Sequence, residues 1–421
     1  MKIKYNLFTL LTKVLIIILP FYVFIKVFFE YKLGVNHFWI FIKEFILVLL
    51  WLTLFYEYFK NKILPKLNIL DYLILWYFWY WILITLINWL WINSLFYWWR
   101  YDYIFFITFL IFRHWFIFLE EKKNELIKLF IFSSSISLFL WFLVKFVTWE
   151  EILTFFWYNF YVSNWSFNWS VPIYHWVENS WLRRFQWILD WPNQMAFFLI
   201  LYWTVILSTV KKKIEFHIWL IISFIFVLIL LTYSRSALLW IFWWIWLVFL
   251  LNIKTIFKKY KKYLTIILVW LITFSSIFYL VFERKINQII FRTSSTTGHF
   301  ERMEAWINKF KEKPLWHWLA SSWPAYRSVY PDKISKKEEI NFIPESWFIQ
   351  QLVEGGIIYF LLFISILLVI LFNLYKINIA LFWWFVAILI MNIFLHIFEA
   401  TYLSILLFII LWLTIPSNAK K

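Results

Sequence analysis

Long apolar runs constrain this chain more than any other feature of its sequence. Hydrophobic residues make up 64% of the 421 residues and charged residues only 15%, whereas a soluble globular chain is about half apolar and about a quarter charged. That much apolar surface does not fit inside a water-soluble core. The composition therefore excludes a soluble enzyme, a disordered chain and a collagen-like fibre, and it predicts a polytopic membrane protein.

The apolar runs predict an all-α fold with about twelve transmembrane helices, since a spanning helix needs about 20 mostly apolar residues. Residues 1–283 are predicted to hold the first nine spans, and residues 348–421 the last three spans and the C-terminus. The runs lie near residues 7–29, 37–58, 70–91, 102–119, 128–148, 194–210, 216–232, 236–252, 263–283, 348–373, 378–396 and 399–416.

Basic residues mark every second loop, at the N-terminus, near residues 60–66, 122–123, 211–213, 254–262 and 376, and at the C-terminus. The positive-inside rule places these loops and both termini in the cytoplasm. The net charge of +17 then reflects cytoplasmic anchoring rather than nucleic-acid binding. Two long loops, near 149–192 and 284–347, are predicted to be extracytoplasmic, and the second is predicted to be partly helical between Glu301 and Lys313. We expect a multi-pass protein of the cytoplasmic (inner) membrane.

Several classes of site are missing from the sequence. Cys is absent, which excludes a disulfide framework, a thiol nucleophile and a thiolate metal site. No metal-ligand spacing, Walker loop or dinucleotide fingerprint occurs. We therefore expect no metal, no cofactor and no nucleic-acid partner.

Three polar clusters lie at predicted extracytoplasmic ends of the spans, where an ionisable group is costly and indicates function. The first precedes span six, at residues 183–194, and the second is the short turn at residues 232–236. The third belongs to the loop at residues 284–347 and contains His299, Arg302, Arg327 and Glu345.

The turn that carries Arg235 is so short that its guanidinium is predicted to lie at the mouth of the bundle. A planar fork of donors suits phosphate, and two Arg side chains at one face could clamp a diphosphate. The alternative is an interfacial Arg whose stem lies along apolar surface. Arg184 alone is weaker evidence, because Arg near a membrane often contacts lipid head groups.

Glu345 lies where the polar loop re-enters the membrane. A carboxylate in apolar surroundings has a raised pKa and can act as a general base. The alternative is an acidic residue placed favourably at a helix N-terminus. His299 is a candidate base or acceptor-site ligand, or else a solvated loop residue.

The counts of Gly and Trp are both unusual. Gly occurs 4 times and Trp 34 times, although Gly makes up about 7% of ordinary chains and is frequent in membrane helices. Pooled, the two make up about 9% of the chain, which is close to the ordinary usage of both together. We interpret many of the Trp letters as Gly encoded by UGA and translated with a table that reads UGA as Trp. The alternative is a Trp-rich membrane protein with interfacial belts.

With Gly read for Trp, four segments acquire recognisable motifs. Residues 181–195 become G-L-R-R-F-Q-G-I-L-D-G-P-N-Q-M, and residues 232–246 become T-Y-S-R-S-A-L-L-G-I-F-G-G-I-G. Residues 314–327 become P-L-G-H-G-L-A-S-S-G-P-A-Y-R, and residues 344–358 become P-E-S-G-F-I-Q-Q-L-V-E-G-G-I-I. In this order, over roughly residues 180–373, they resemble the O-antigen ligase and O-antigen polymerase superfamily.

The resemblance implies a metal-independent, membrane-embedded glycosyltransferase of cell-envelope polysaccharide biosynthesis. Such proteins move a glycan from a polyprenyl-diphosphate carrier, such as undecaprenyl diphosphate, to an acceptor hydroxyl outside the cytoplasmic membrane. By motif, Arg184 and Arg235 hold the diphosphate and Glu345 occupies the position of the base. The ligases usually have His followed by Asn there, so Glu345-Ser346 favours a polymerase-like or other transferase branch. The substrate-binding candidates are Arg183, Asn193, His299, Arg302 and Arg327.

Other readings of the same sequence remain open. A protein O-oligosaccharyltransferase would have the same donor but a protein acceptor in place of a glycan or lipid acceptor. A transporter or flippase of a lipid-linked or anionic substrate would have polar groups threaded through several spans, or internal symmetry. In this sequence the polar clusters are instead predicted to lie at the extracytoplasmic face, which disfavours a transporter.

The interpretation of Trp as Gly makes a direct prediction about the gene. We expect UGA codons at Trp positions within the four motif segments, among them Trp187, Trp191 and Trp240. Sequencing the coding DNA measures this, and UGG codons at those positions would rule the interpretation out.

Overall fold

A computed structural model describes most of the chain. The described residues are 5–34, 41–62, 65–87, 96–97, 99–119, 122–144, 150–156, 158, 171–177, 183–209, 216–243, 273, 293–315 and 344–414. Within these ranges the chain is almost entirely helical.

The first half of the chain forms a series of apolar helices. Helices α1 (Tyr5–Ile18) and α2 (Tyr22–Val27) are joined by a 3-10 turn at Leu19–Phe21 and continue into a π-helical turn at Phe28–Lys32. Another π-helical turn, Trp99–Tyr103, leads directly into the helix at Ile104–Leu119. The remaining helices of this half are α3 (Ile42–Asn61), α4 (Ile69–Ile87), α5 (Ile104–Leu119) and α6 (Lys123–Leu143).

The second half begins with a short antiparallel pair, β1 (His175–Trp176) and β2 (Arg183–Arg184), in which His175 pairs with Arg184. This two-stranded ladder is the one departure from the predicted all-α fold among the described residues. The helices that follow are α7 (Pro192–Thr209), α8 (Phe216–Leu231), a helical segment at 235–243, α9 (Thr293–Glu312), α10 (Trp347–Ile377), α11 (Ile379–Ile393) and α12 (Thr401–Thr414). A 3-10 turn, Ile397–Glu399, lies between α11 and α12.

Four stretches of the described residues are long and apolar enough to cross a membrane: Leu7–Lys32, Ile69–Ile87, Lys123–Leu143 and Trp347–Ile377. Shorter apolar helices are Pro192–Leu207, Leu220–Leu231, Ile379–Ile393 and Thr401–Leu413. The prediction of a mostly helical protein with apolar spans is confirmed at this level. The predicted span at 263–283 lies almost wholly outside the described residues, and so does most of the loop at 284–347.

The helix predicted between Glu301 and Lys313 is present and begins earlier, since α9 spans Thr293–Glu312. The chain leaves α9 at Pro314, whose carbonyl oxygen accepts a hydrogen bond of 3.0 Å from the backbone N–H of Ile357 in α10. This bond joins the long loop to the middle of an apolar helix.

That bond depends on a bend in α10 at Gly356. Its φ of 75° and ψ of −175° are non-helical, and they lie in a region that suits only Gly. The bend allows the next N–H, that of Ile357, to bond to Pro314 outside the helix. Paired Gly residues in a membrane helix permit close packing with a neighbouring helix, and the bend gives Gly356 a second role.

Gly355 fits the close-packing role. A Cβ on Gly355 would overlap the ring of Tyr359, and that ring stacks on Tyr77 of α4 with 4.2 Å between centroids. The missing side chain therefore leaves room for the aromatic contact that joins α10 to α4.

We expect Gly356→Ala to destabilise the protein by roughly 1–3 kcal/mol, because an L-residue is strained at this φ and ψ. Thermal unfolding in lipid nanodiscs measures the effect. The matched control is Gly298→Ala in α9, where the nearest atom to an added Cβ is 3.5 Å away. Ala in a helix favours stability by up to about 1 kcal/mol over Gly, so equal losses in the two variants would contradict the role of the bend.

Candidate functional site

Arg184 joins two of the three predicted polar clusters. Its Nε donates to the carbonyl oxygen of Thr232 at 2.9 Å, and its Nη2 donates to Oδ1 of Asn193 at 3.0 Å. The backbone N–H of Phe185 also donates to the carbonyl of Leu231 at 2.9 Å. The loop before α7 is thereby fixed to the end of α8. These acceptors are carbonyl and amide oxygens, and they orient the guanidinium of Arg184.

Arg235 begins the helical segment at 235–243, directly after the turn that Arg184 contacts. Tyr233 in this turn has a φ of 50°, a conformation that costs a residue with a side chain about 1–2 kcal/mol. Thr232 and Ser234 are fully buried there. The very short turn predicted around Arg235 is confirmed, and backbone strain is concentrated beside the two candidate arginines.

The strand pair that carries Arg184 also contains a second arginine and a neutral histidine. Arg183 is exposed and lies over the ring of Tyr174, with 4.2 Å from Cζ to the ring centroid. His175 pairs with Arg184 across the strands and contacts Oε1 of Gln186 through Nδ1. Burial lowers the pKa of His175 to about 4, outweighing the bond to Gln186, and the charge of Arg184 lowers it further. His175 is therefore neutral at neutral pH and adds no charge to the site.

Trp187 lies three residues after Arg184 and has a φ of 53°. Gly adopts this left-handed conformation without strain, whereas other residues seldom do. Position 187 is one of the Trp positions that we interpret as Gly.

The third polar cluster forms around Glu345. His299 Nδ1 lies 2.7 Å from Glu345 Oε2, and Arg302 Nη2 lies 2.6 Å from Glu345 Oε1. His299 and Arg302 come from successive positions on one face of α9, and Glu345 directly precedes Ser346, the N-cap of α10. Both carboxylate oxygens are thus directed to side chains of another helix, which supports a site rather than a simple helix-dipole residue.

The expected rise in the pKa of Glu345 is wrong. Burial acts to raise this pKa, but the hydrogen bond and charge of His299, together with the charge of Arg302, hold it below its ordinary value. The carboxyl group is ionised at neutral pH because its two partners stabilise the charged form. Glu345 also has a φ of 57°, so the backbone is strained at this residue as well.

His396 is a neighbour of Glu345 that the sequence did not single out. It interacts electrostatically with both Glu345 and His299. Its Nε2 is buried and forms no hydrogen bond within the described residues. The sequence signal that could have identified His396 is a polar residue at the predicted end of span eleven.

The segment 396–402 lies between the Glu345 cluster and the Arg184 cluster. At one end His396 interacts with Glu345, and at the other Tyr402 donates a 2.8 Å hydrogen bond to Oε1 of Gln194. Gln194 directly follows Asn193, the partner of Arg184. Both clusters therefore belong to one end of the helix bundle, here called the site end.

A buried ionic group at the site end was also missed. Lys43 Nζ donates to Glu44 Oε1 at 2.7 Å and to the hydroxyl of Tyr22 at 2.8 Å, and Arg100 Nε donates to Glu44 Oε1 at 2.8 Å. Tyr22 stacks on Tyr402, which connects this group to segment 396–402. Its signal in the sequence was an ionisable pair, Lys43-Glu44, inside the predicted span 37–58.

The opposite end of the bundle has its own ion pairs. Asp71 at the start of α4 contacts Arg113, and its Oδ1 lies 3.3 Å from Nε2 of His114. Tyr58 approaches the other ring nitrogen of His114 at 3.2 Å. These contacts join α3, α4 and α5.

The structure thus brings the site candidates into two groups. The first contains Arg184, Asn193 and the turn that leads into Arg235, with Arg183 beside it on Tyr174. The second contains Glu345, His299 and Arg302. Arg327 lies outside the described residues. Among the described residues, no group of three or more His, Asp or Glu side chains could hold a metal ion. Comparison with protein-family models, curated proteins and solved structures finds no match to the chain.

We expect Glu345→Gln to destabilise the protein by roughly 1–3 kcal/mol at neutral pH, because two half-buried donors lose a charged acceptor. The folded-state pKa of Glu345 is lowered, so the carboxylate stabilises the fold above its ordinary pKa, and the effect is lost as pH falls through the folded value. The difference between the two proteins should therefore close in acid.

Thermal unfolding of both proteins between about pH 7 and about pH 3 measures this difference, because the stabilisation is lost below the ordinary pKa of a Glu side chain. Glu304→Gln, at an exposed carboxylate on the same helix, is the control and should stay within about 0.5 kcal/mol of the parent. A gap between Glu345→Gln and the parent that widens in acid would contradict the assigned pairing.

Proposed function

We propose that this chain is a membrane-embedded glycosyltransferase. It transfers or polymerises a glycan from a polyprenyl-diphosphate-linked donor onto an acceptor hydroxyl at the extracytoplasmic face of the cytoplasmic membrane. In this proposal the chain crosses the membrane about twelve times, both termini are cytoplasmic, and the site end faces outward. No metal or cofactor takes part.

The observation that carries the proposal is the contact of Arg184 with the Thr232–Tyr233 turn. The Nε bond joins residues 48 positions apart in sequence, and the next residue but one after Tyr233 is Arg235. Two guanidinium groups held on adjacent backbone suit a ligand that offers several anionic oxygens. The diphosphate of a lipid carrier is such a ligand, and it lies at the height of a membrane surface.

In the proposed reaction the arginines act on the leaving group. The bond from the sugar C1 to the diphosphate oxygen breaks, and negative charge develops on the diphosphate. Fixed cations that point to that position stabilise the transition state more than the ground state. Asn193 and the Thr232 carbonyl keep the guanidinium of Arg184 oriented while this charge develops.

The acceptor is activated by the Glu345 cluster. The acceptor oxygen forms the new bond to C1, and its proton must pass to a base. The lowered pKa of Glu345 makes this carboxylate a weak base, and its oxygens are already directed to His299 and Arg302. We therefore assign proton removal to Nε2 of His299, with Glu345 bound to Nδ1 as the group that orients the ring. This assignment replaces the sequence-based choice of Glu345 as the base.

The same geometry serves a glycan, a lipid or a protein as the acceptor. Whether the glycan product is attached to lipid or to protein separates a polymerase or ligase from a protein O-oligosaccharyltransferase. A transporter or flippase would instead translocate the donor without forming a bond, and a product assay distinguishes this class as well.

We expect Arg235→Ala to lower product formation by roughly a hundredfold or more, because the diphosphate loses a fixed cation at the breaking bond. Membranes that contain the variant are incubated with lipid-linked glycan, and extended or transferred glycan is measured. Lys311→Ala, at an exposed lysine of α9, is the control and should retain the parent rate. Unchanged activity of Arg235→Ala at equal protein levels would contradict the proposed mechanism.

A further inference from the structure

Two carboxyl groups with buried oxygens lie at the site end and take no part in the proposed reaction. Asp102 belongs to the π-helical turn before α5 and is fully buried. Glu399 ends the 3-10 turn between α11 and α12. The two interact electrostatically, although they are almost 300 residues apart in sequence. Neither forms an ion pair within the described part of the chain.

Gln350 lies between these two carboxyl groups. It is fully buried in the first turn of α10, and its Nε2 donates to Asp102 Oδ1 at 3.4 Å. Its side chain also interacts with Glu399. The neighbouring Gln351 donates to the same Asp102 oxygen at 2.6 Å and accepts a 2.7 Å hydrogen bond from Tyr77.

The hydrogen-bond pattern leaves acceptors in excess. Asp102 Oδ2, Gln350 Oε1 and Glu399 Oε1 are all buried, and each is without a hydrogen-bond donor in the described residues. Leaving a buried acceptor unsatisfied costs about 1–3 kcal/mol, and more for a charged group. The indole of Trp347 also interacts with Asp102, but its Nε1 forms no hydrogen bond to these oxygens within the described residues. Each of the three oxygens therefore still lacks a hydrogen or a cation.

Nearby titratable groups increase the need for positive charge. Two buried carboxylates close together cannot both remain ionised without compensation. The titratable side chains around the pair are mostly carboxyl groups and phenols: Glu354 and Tyr359 of α10, Tyr77 of α4 and Glu345 before α10. The imidazole of His396 lies beside Glu399. The cation nearest in sequence, Arg100, is held by Glu44.

We propose that Asp102 and Glu399, with Gln350 between them, form a proton-binding site at the site end of the bundle. Each carboxyl group is held in its neutral form and donates its hydrogen to one of the buried oxygens that otherwise lack a donor. The proposal does not depend on glycan transfer.

An apolar carbodiimide tests the protonation state directly. The reagent reacts with a carboxylic acid by taking its proton on nitrogen while the carboxyl oxygen adds to the carbodiimide carbon, so an ionised carboxylate does not react. The full-length protein in lipid nanodiscs is treated with dicyclohexylcarbodiimide, and peptide mass spectrometry locates the adducts. We expect modification of Asp102 or Glu399 that falls as pH rises. Asp71, an equally buried carboxylate paired with Arg113, is the control and should not react.

Thermal unfolding of Asp102→Asn and Glu399→Gln gives a second measurement that does not need reagent access. A carboxyl group that is neutral when folded and ionised when unfolded loses stability as pH rises. The parent should therefore lose stability relative to each amide variant between about pH 5 and about pH 8.

The proposal is overturned if neither carboxyl is modified and the parent keeps a constant stability relative to both variants over this range. It is also overturned if sodium or another metal ion stabilises the parent but not Asp102→Asn, since a metal cation then occupies the site.

Discussion

The hydrogen bond from Arg184 to the carbonyl of Thr232 is the interaction on which the account of this site depends. It is made at the end of an apolar bundle, where a guanidinium without acceptors would be costly. Thr232 and Tyr233 supply those acceptors because their turn exposes carbonyl groups that α8 no longer uses. The loop before α7 is consequently fixed beside Arg235. If this bond were absent, the two arginines would belong to independent segments and no shared anion site would follow.

Ionisable groups in an apolar bundle must be paired or neutral, and the site end uses both solutions. Glu345 is held by His299 and Arg302, and Glu44 is held by Lys43 and Arg100. Asp102 is held by the amides of Gln350 and Gln351. Segment 396–402 contacts all three regions, through His396, Glu399 and Tyr402. Strained residues, Tyr233 and Glu345, lie in the same region, as backbone strain often does at functional sites.

The apolar helices could be predicted from the sequence because hydrophobicity over about 20 residues is a local property. The runs at 70–91, 194–210 and 348–373 correspond to Ile69–Ile87, Pro192–Thr209 and Trp347–Ile377.

The partners of buried charges could not be predicted from the sequence, because these pairings depend on tertiary contacts. Glu345 and His299 are 46 positions apart, and their pairing reverses the expected pKa shift. The buried pair Lys43-Glu44 could have been predicted, since both charges fall inside a predicted span. The bend at Gly356 could not have been predicted, because it depends on the hydrogen bond from the Ile357 N–H to the Pro314 carbonyl.

The central claim is that the Arg184 and Glu345 clusters share one face of the membrane, and cysteine accessibility measures this most directly. The chain contains no Cys, so single cysteines can be introduced without background. Exposed positions beside the two clusters are Arg183 and Glu301, and exposed positions at the opposite end are Lys62 and Lys376. We predict that Arg183→Cys and Glu301→Cys react with a membrane-impermeant maleimide in intact cells, whereas Lys62→Cys and Lys376→Cys react only after permeabilisation. Reaction of Arg183→Cys and Glu301→Cys from opposite sides would contradict a single site.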